Sequence, residues 1–118
     1  MVKKILGRTG ISVTPVGMGT LTMGFSQKNL DIKAGSRVIV HAVEQGINFL
    51  DTAQYYDTYR YLRPALDEIR RRNLDFPIIC SKTLEEGYAE TEAAVLECLE
   101  QLDIDAVDLF LLHEVISF

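Results

Sequence analysis

Four polar residues fall at one interval along this chain: Thr20, Asp51, Lys82 and His113 each follow the last by 31 residues. Each stands at or just past a short apolar run, over 15–19, 47–50, 77–80 and 107–112. A unit of about 30 residues is one β-strand plus the helix that crosses over to the next parallel strand. The spacing therefore sets Thr, Asp, Lys and His at equivalent places, the carboxyl ends of four successive parallel strands. Open α/β sheets and (β/α)8 barrels both keep their reactive groups there.

The residue types suggest proton transfer. A charge at the end of an apolar strand is costly to desolvate unless paired, so Asp51 and Lys82 on neighbouring strands are expected to form an ion pair. Tyr56 follows Asp51 by five residues, in the loop leaving the same strand, where its hydroxyl can turn back over Lys82. An ammonium beside a phenol favours the phenolate, which makes the phenol a better acid near neutral pH. His113, one strand further, can donate or accept at a substrate oxygen. Together these groups describe a site that gives a proton to an oxygen developing negative charge, without a metal or a thiol nucleophile.

The elements that must carry these groups are legible as alternating strands and helices, the pattern of α/β with a parallel sheet. In the first helix Val38, Ala42 and Val43 recur at helical spacing before Gly46, a left-handed stop. In the second, Leu62, Leu66 and Ile69 form one stripe, Pro64 is expected in the first turn, and Arg70, Arg71 and Arg72 complement the helix dipole at a solvated end. The third is expected to bury Leu96, Leu99 and Leu102 and to leave Glu90, Glu97 and Glu100 facing water. Ahead of them, residues 4–6 and 12–14 flank Gly7-Arg8-Thr9-Gly10 as a small hairpin. His41 and Tyr55 are expected to be structural, the latter packing beside the site.

Five stretches, taken in order, resemble the aldo-keto reductases: Leu6 to Gly10, Gly17-Met18-Gly19-Thr20, Gly46 to Ala53, Ser81-Lys82, and Val107 to His113. The resemblance covers nearly the whole chain. It implies a (β/α)8 TIM barrel, an NADPH or NADH cofactor and a small-molecule carbonyl substrate, with Asp51, Tyr56, Lys82 and His113 as the catalytic tetrad. By that analogy Tyr56 protonates the carbonyl oxygen as hydride arrives, Lys82 held by Asp51 assists it, and His113 orients the carbonyl. Gly19, Thr20, Leu21 and Asp51 are the positions implied to lie against the cofactor. Asp57 stands where the family often has glycine, and Glu114-Val115 replaces a common proline-containing continuation. These departures resemble a bacterial branch that includes reductases with an added iron-sulfur domain. Gly17 and Gly19 do not begin a GxGxxG fingerprint, because the next glycine is Gly24.

With 118 residues, 47% hydrophobic and a formal charge of −5, the chain is expected to be one globular domain, 1–118, and not a partner for nucleic acid or an anionic membrane. No signal peptide or membrane span is evident, and Cys80 and Cys98 lack metal-ligand spacing, so a reducing cytoplasmic address is expected. A complete barrel takes about 250 residues. The expectation is therefore the N-terminal half of one, four parallel strands with three crossover helices behind a β-hairpin, with little turnover alone and open strand edges through which two copies could pair as a homodimer. Two other readings stand beside this one. Lys82 could be a Schiff-base lysine, which its pairing with Asp51 argues against. The chain could also be a non-catalytic cofactor-binding or assembly module.

Overall fold

The computed structural model describes residues 1–116. A two-stranded antiparallel hairpin, β1 (Lys4–Ile5) and β2 (Ser12–Val13), leads into a parallel sheet of β3 (Met18–Gly19), β4 (Phe49–Asp51), β5 (Ile78–Thr83) and β6 (Leu109–Leu112), ordered β3-β4-β5-β6. The connections are α1 (Ile32–Glu44), α2 (Tyr59–Arg71) and α3 (Tyr88–Leu102). This is the expected run of consecutive βα units behind a hairpin. Asp51 and Lys82 belong to their strands instead of following them, because β4 and β5 run on past the apolar stretches that signal them.

Strand periodicity decides what faces what. Leu50 and Ile79 point to the helices and join Ile39, Leu62, Leu66, Ile69 and Leu102 in the core. Asp51, Cys80 and Lys82 therefore share the opposite face, Asp51 lying directly across from Cys80 and Lys82 across from Leu111. The ladder is thus staggered, with Lys82 two residues beyond the partner of Asp51, as sheet closure into a barrel requires.

The helices form for local reasons, with three departures from expectation. In α1 the Asp31 carboxylate caps the first turn by accepting from Ala34 N at 2.8 Å. Its buried side is Ile39, Val40 and Val43, while Val38 is turned outward and 47% exposed. Gly35 exists for α2: an added Cβ would lie 2.3 Å from the Tyr61 ring.

In α2 the stripe Leu62, Leu66 and Ile69 is fully buried. Pro64 sits at the sixth helical position, past the first turn; its missing N–H deprives only the Arg60 carbonyl of a partner. The arginines at its end are solvated and paired, Arg71 with Glu68, Arg72 with Glu44, and Arg70 with Asp67 and the Asp103 carbonyl.

In α3 the buried row is Ala94, Cys98 and Leu102, one residue in four. Leu96 faces out at 59% exposure and Leu99 is half-buried, while Glu97 turns inward to a hydrogen bond. The smaller Ala and Cys win the core face because α3 lies close to β5 and the Tyr59 side chain.

Candidate active site

Lys82 is the centre of the site. Its Nζ donates to Asp51 Oδ1 at 2.7 Å and to the Thr52 carbonyl at 2.8 Å. The lysine side chain is only 11% exposed and that of Asp51 38%. The ammonium is thus enclosed and neutralised, and the carboxylate still reaches the open side.

Tyr56 ends a 3₁₀ turn, Gln54–Tyr56, that follows β4 directly. Lys82 Nζ stands 5.2 Å from the Tyr56 ring centroid, and the His113 ring meets the tyrosine edge-on at 5.6 Å between centroids. The three side chains therefore converge. Lys82 contacts the ring face, and the tyrosine hydroxyl bonds to neither Lys82 nor His113 among the described residues. His113 follows β6, anchored by its N–H donating to the Thr83 carbonyl at 2.8 Å. Its Nδ1 is buried and has no hydrogen-bond partner among the described residues.

The turn that carries Tyr56 is fixed from both ends. Behind it, three fully buried hydroxyls line up: Thr58 lies 2.7 Å from Thr20 and 2.8 Å from Thr52. Thr20 Oγ1 donates to the Asp51 carbonyl at 3.1 Å, which orients the chain as Thr52 to Thr58 to Thr20 to Asp51 O. Thr58 is the N-cap residue of α2, yet its side chain makes no capping bond; it serves this chain instead. Gly24 lies against the same turn, so close that a Cβ there would be 2.8 Å from the Tyr56 carbonyl oxygen. Asp57 closes the turn in the left-handed region at φ 53°, which explains why glycine suits this place and why Asp, among L-residues, is tolerated.

Of the positions expected against a cofactor, Gly19 is exposed and lies across the ladder from Asp51, and a Cβ on it would meet nothing within 4 Å. Leu21 is half-buried, and the Thr20 side chain is turned wholly inward. Tyr55, expected to pack beside the site, stands out at 61% exposure, edge-on to Phe25 at 6.3 Å. His41 lies on α1, 3.5 Å from Glu44 and away from the site. Sequence reasoning passed over Gln54 and Thr83 and expected Glu97 to face water, whereas the Gln54 amide hydrogen-bonds to both Thr83 and Glu97 beside Tyr56 and Lys82. No strand interval signals them, because Gln54 lies in the turn after β4, Thr83 at the end of β5 and Glu97 on α3.

The aldo/keto reductase family model matches residues 15–117. An uncharacterized oxidoreductase of Bacillus subtilis, YqkF, is 34% identical over 125 residues, covering 96% of this chain and 39% of that protein. The holo form of the aldo-keto reductase AKR11C1 from Bacillus halodurans superposes with a TM-score of 0.77 at 28% identity, over 96% of this chain and 40% of that one. The Bombyx mori aldo-keto reductase AKR2E4, solved in complex with NADP, shares the fold at a TM-score of 0.78 and 22% identity, over 90% of this chain and 36% of its own. The chain spans about two-fifths of the length of the curated relatives it matches. A partial (β/α) barrel, a tyrosine, lysine, aspartate and histidine gathered on one sheet face, and these matches agree: the chain belongs to the aldo/keto reductase family.

Proposed function

We propose that the chain carries the proton-donating part of an NAD(P)H-dependent carbonyl reductase, converting an aldehyde or ketone to the alcohol. The observation that carries this reading is the convergence of Tyr56 on both the enclosed Lys82 ammonium and His113. A reduced nicotinamide, when bound, supplies the hydride to the carbonyl carbon. The open backbone at Gly19 and the exposed part of the Asp51 carboxylate, on the same sheet face, fit a cofactor's flat ring and a sugar hydroxyl.

Tyr56 gives its phenolic proton to the carbonyl oxygen, and the resulting phenolate regains a proton from water, so one carbonyl, one hydride and one proton yield one alcohol. Lys82 steadies the phenolate charge, and Asp51 pairs with the lysine and fixes where its ammonium sits. His113 hydrogen-bonds the substrate oxygen through Nε2, since its Nδ1 is shut off from solvent. The two unpaired buried thiols, Cys80 and Cys98, suit a reducing cytoplasmic setting.

The described sheet leaves its β3 and β6 edges without a paired strand among the described residues. We therefore assign full turnover to the complete barrel and little to these residues alone, which instead pair their edges with a second copy.

The test joins this chain to the remaining barrel portion of the Bacillus subtilis relative and follows NADPH oxidation with a reactive aldehyde. Tyr56→Phe is expected to lower kcat about 100-fold or more, the contribution of a positioned general acid. Equal rates with Phe at this position overturn the assignment of Tyr56. Ordinary enzyme rates from the 118-residue chain alone overturn the division of labour. Saturable cofactor binding with no turnover in the joined protein favours the non-catalytic alternative.

A further inference from the structure

We infer that Gln54 is a positioning residue for the site, a side chain that ties the Tyr56 turn to the strand ends carrying Lys82 and His113. The inference rests on the reading of Tyr56 as the proton donor but stands on separate contacts.

Gln54 opens the 3₁₀ turn that ends at Tyr56. Its Oε1 accepts from Thr83 Oγ1 at 2.6 Å, and its Nε2 donates to Glu97 Oε2 at 2.6 Å. Both polar ends of one amide are therefore satisfied, which fixes which way it points. Each partner has its own anchor. Thr83 is fully buried, directly follows Lys82 in β5, and its carbonyl accepts the His113 N–H. Glu97 sits on α3, where its second oxygen accepts from Gln101 Nε2 at 2.7 Å. One amide thus ties the tyrosine turn to the residue that follows the lysine and holds the histidine, and braces all of it against a helix.

A turn that lost this tie would keep its rear anchorage on the threonine hydroxyls but could pivot about it. The hydroxyl of Tyr56, which has no protein partner among the described residues, is the atom most displaced by such a pivot. Misplacement of about 1 Å at reacting atoms costs up to about 100-fold in rate.

The test exploits the fact that the amide sits beside a carboxylate. Gln54→Ala removes both bonds. Gln54→Glu sets two carboxylates against each other. Gln54→Glu combined with Glu97→Gln restores both bonds with the same net charge, the new Glu accepting from Thr83 and from the new Gln.

In the protein joined to the Bacillus subtilis barrel portion, the two single variants are expected to lose 10- to 100-fold in kcat with KM for NADPH changed less than threefold, and the double variant to recover to within threefold of the parent. Nuclear Overhauser contacts between the Tyr56 and His113 rings, read in the same variants, are expected to weaken in the singles and return in the double. A Gln54→Ala protein with the parent's kcat and ring contacts overturns the inference, and so does a double variant no better than its singles. If the parent itself reduces no aldehyde, the functional reading fails, and the ring contacts still decide whether Gln54 holds the turn.

Discussion

At the scale of single residues, unequal burial within the central ion pair decides which partner matters more to stability. Lys82 is nearly enclosed, whereas Asp51 keeps 38% of its side chain in contact with solvent. Lys82→Met frees a carboxylate that water can reach, so its cost should resemble that of an exposed pair, about 1 kcal/mol. Asp51→Ala strands an enclosed ammonium with only the Thr52 carbonyl for company, and should cost about 3 kcal/mol. Urea unfolding of the two variants measures this ranking, and a Lys82→Met protein less stable than Asp51→Ala would show that the lysine is better solvated than its surroundings indicate. Asp57 offers a second comparison. At φ 53° a Cβ without a polar side chain is disfavoured by about 1–2 kcal/mol. Asp57→Ala should therefore be less stable than Asp57→Gly by about 1 kcal/mol. Equal stabilities would mean that the turn adopts another conformation when its residue changes.

At the scale of elements, α2, α3 and β5 meet over a buried polar seam that makes the fold sensitive to alkali. The Tyr59 hydroxyl lies 2.5 Å from Ser81 Oγ, and burial raises the phenol well above its ordinary value near 10. Burial likewise raises the thiol of Cys98 in this seam, and that of Cys80 on the other face of β5, above their ordinary value of about 9. Acids whose folded-state pKa is raised contribute nothing adverse below their unfolded values, where both states hold the proton. Above those values the unfolded chain releases protons that the folded one must keep, so stability is lost as pH rises. The urea midpoint should hold level up to about pH 9 and fall through pH 10 to 11, with a shallower fall in Tyr59→Phe; a midpoint that rises over that range would contradict the burial of all three groups. Both thiols should also resist a thiol-specific reagent at pH 8 until the chain unfolds.

The same seam shows what could be read in advance. The α2 stripe is three large aliphatic residues on one face, and its burial follows directly. In α3 the leucines attract attention, but the smaller Ala94 and Cys98 take the buried face, Cys98 beside Tyr59, and that depends on a neighbour far away in sequence. Asp51, Lys82 and His113 were legible together because parallel strands repeat at a fixed interval, and Tyr56 from its place five residues after Asp51 and from the family resemblance. The tie through Gln54 was not, because its members lie in a turn, at a strand end and on a helix, and no strand interval signals them.

At the scale of the whole molecule, the sheet's two open edges are unequal. The β3 edge offers only Met18 and Gly19 for pairing, whereas β6 offers four residues, Leu109 to Leu112, of which Leu111 and Leu112 are 47% and 57% exposed. A ladder built on β6 therefore gains more hydrogen bonds and buries more apolar surface than one built on β3. Pairing β6 with β6 of a second copy is two-fold and closes at a dimer, whereas pairing β6 with β3 is head-to-tail and closes only if the rotation allows a ring. The 118-residue chain is thus expected to be a dimer by light scattering at micromolar concentration, and Leu111→Lys, which sets a charge in the middle of that edge, should shift it to monomer. A two-fold β6 contact runs the two strands antiparallel, so it sets the two His113 ends apart and adds no strand beside β3, where Gly19 lies open. Such a dimer should not bind NADPH saturably when cofactor fluorescence is titrated in the same sample. Saturable binding by a dimer would instead favour a head-to-tail pair that rebuilds a barrel from two copies. In that case the Leu111→Lys variant would lose cofactor binding and self-association together, linking both to one edge.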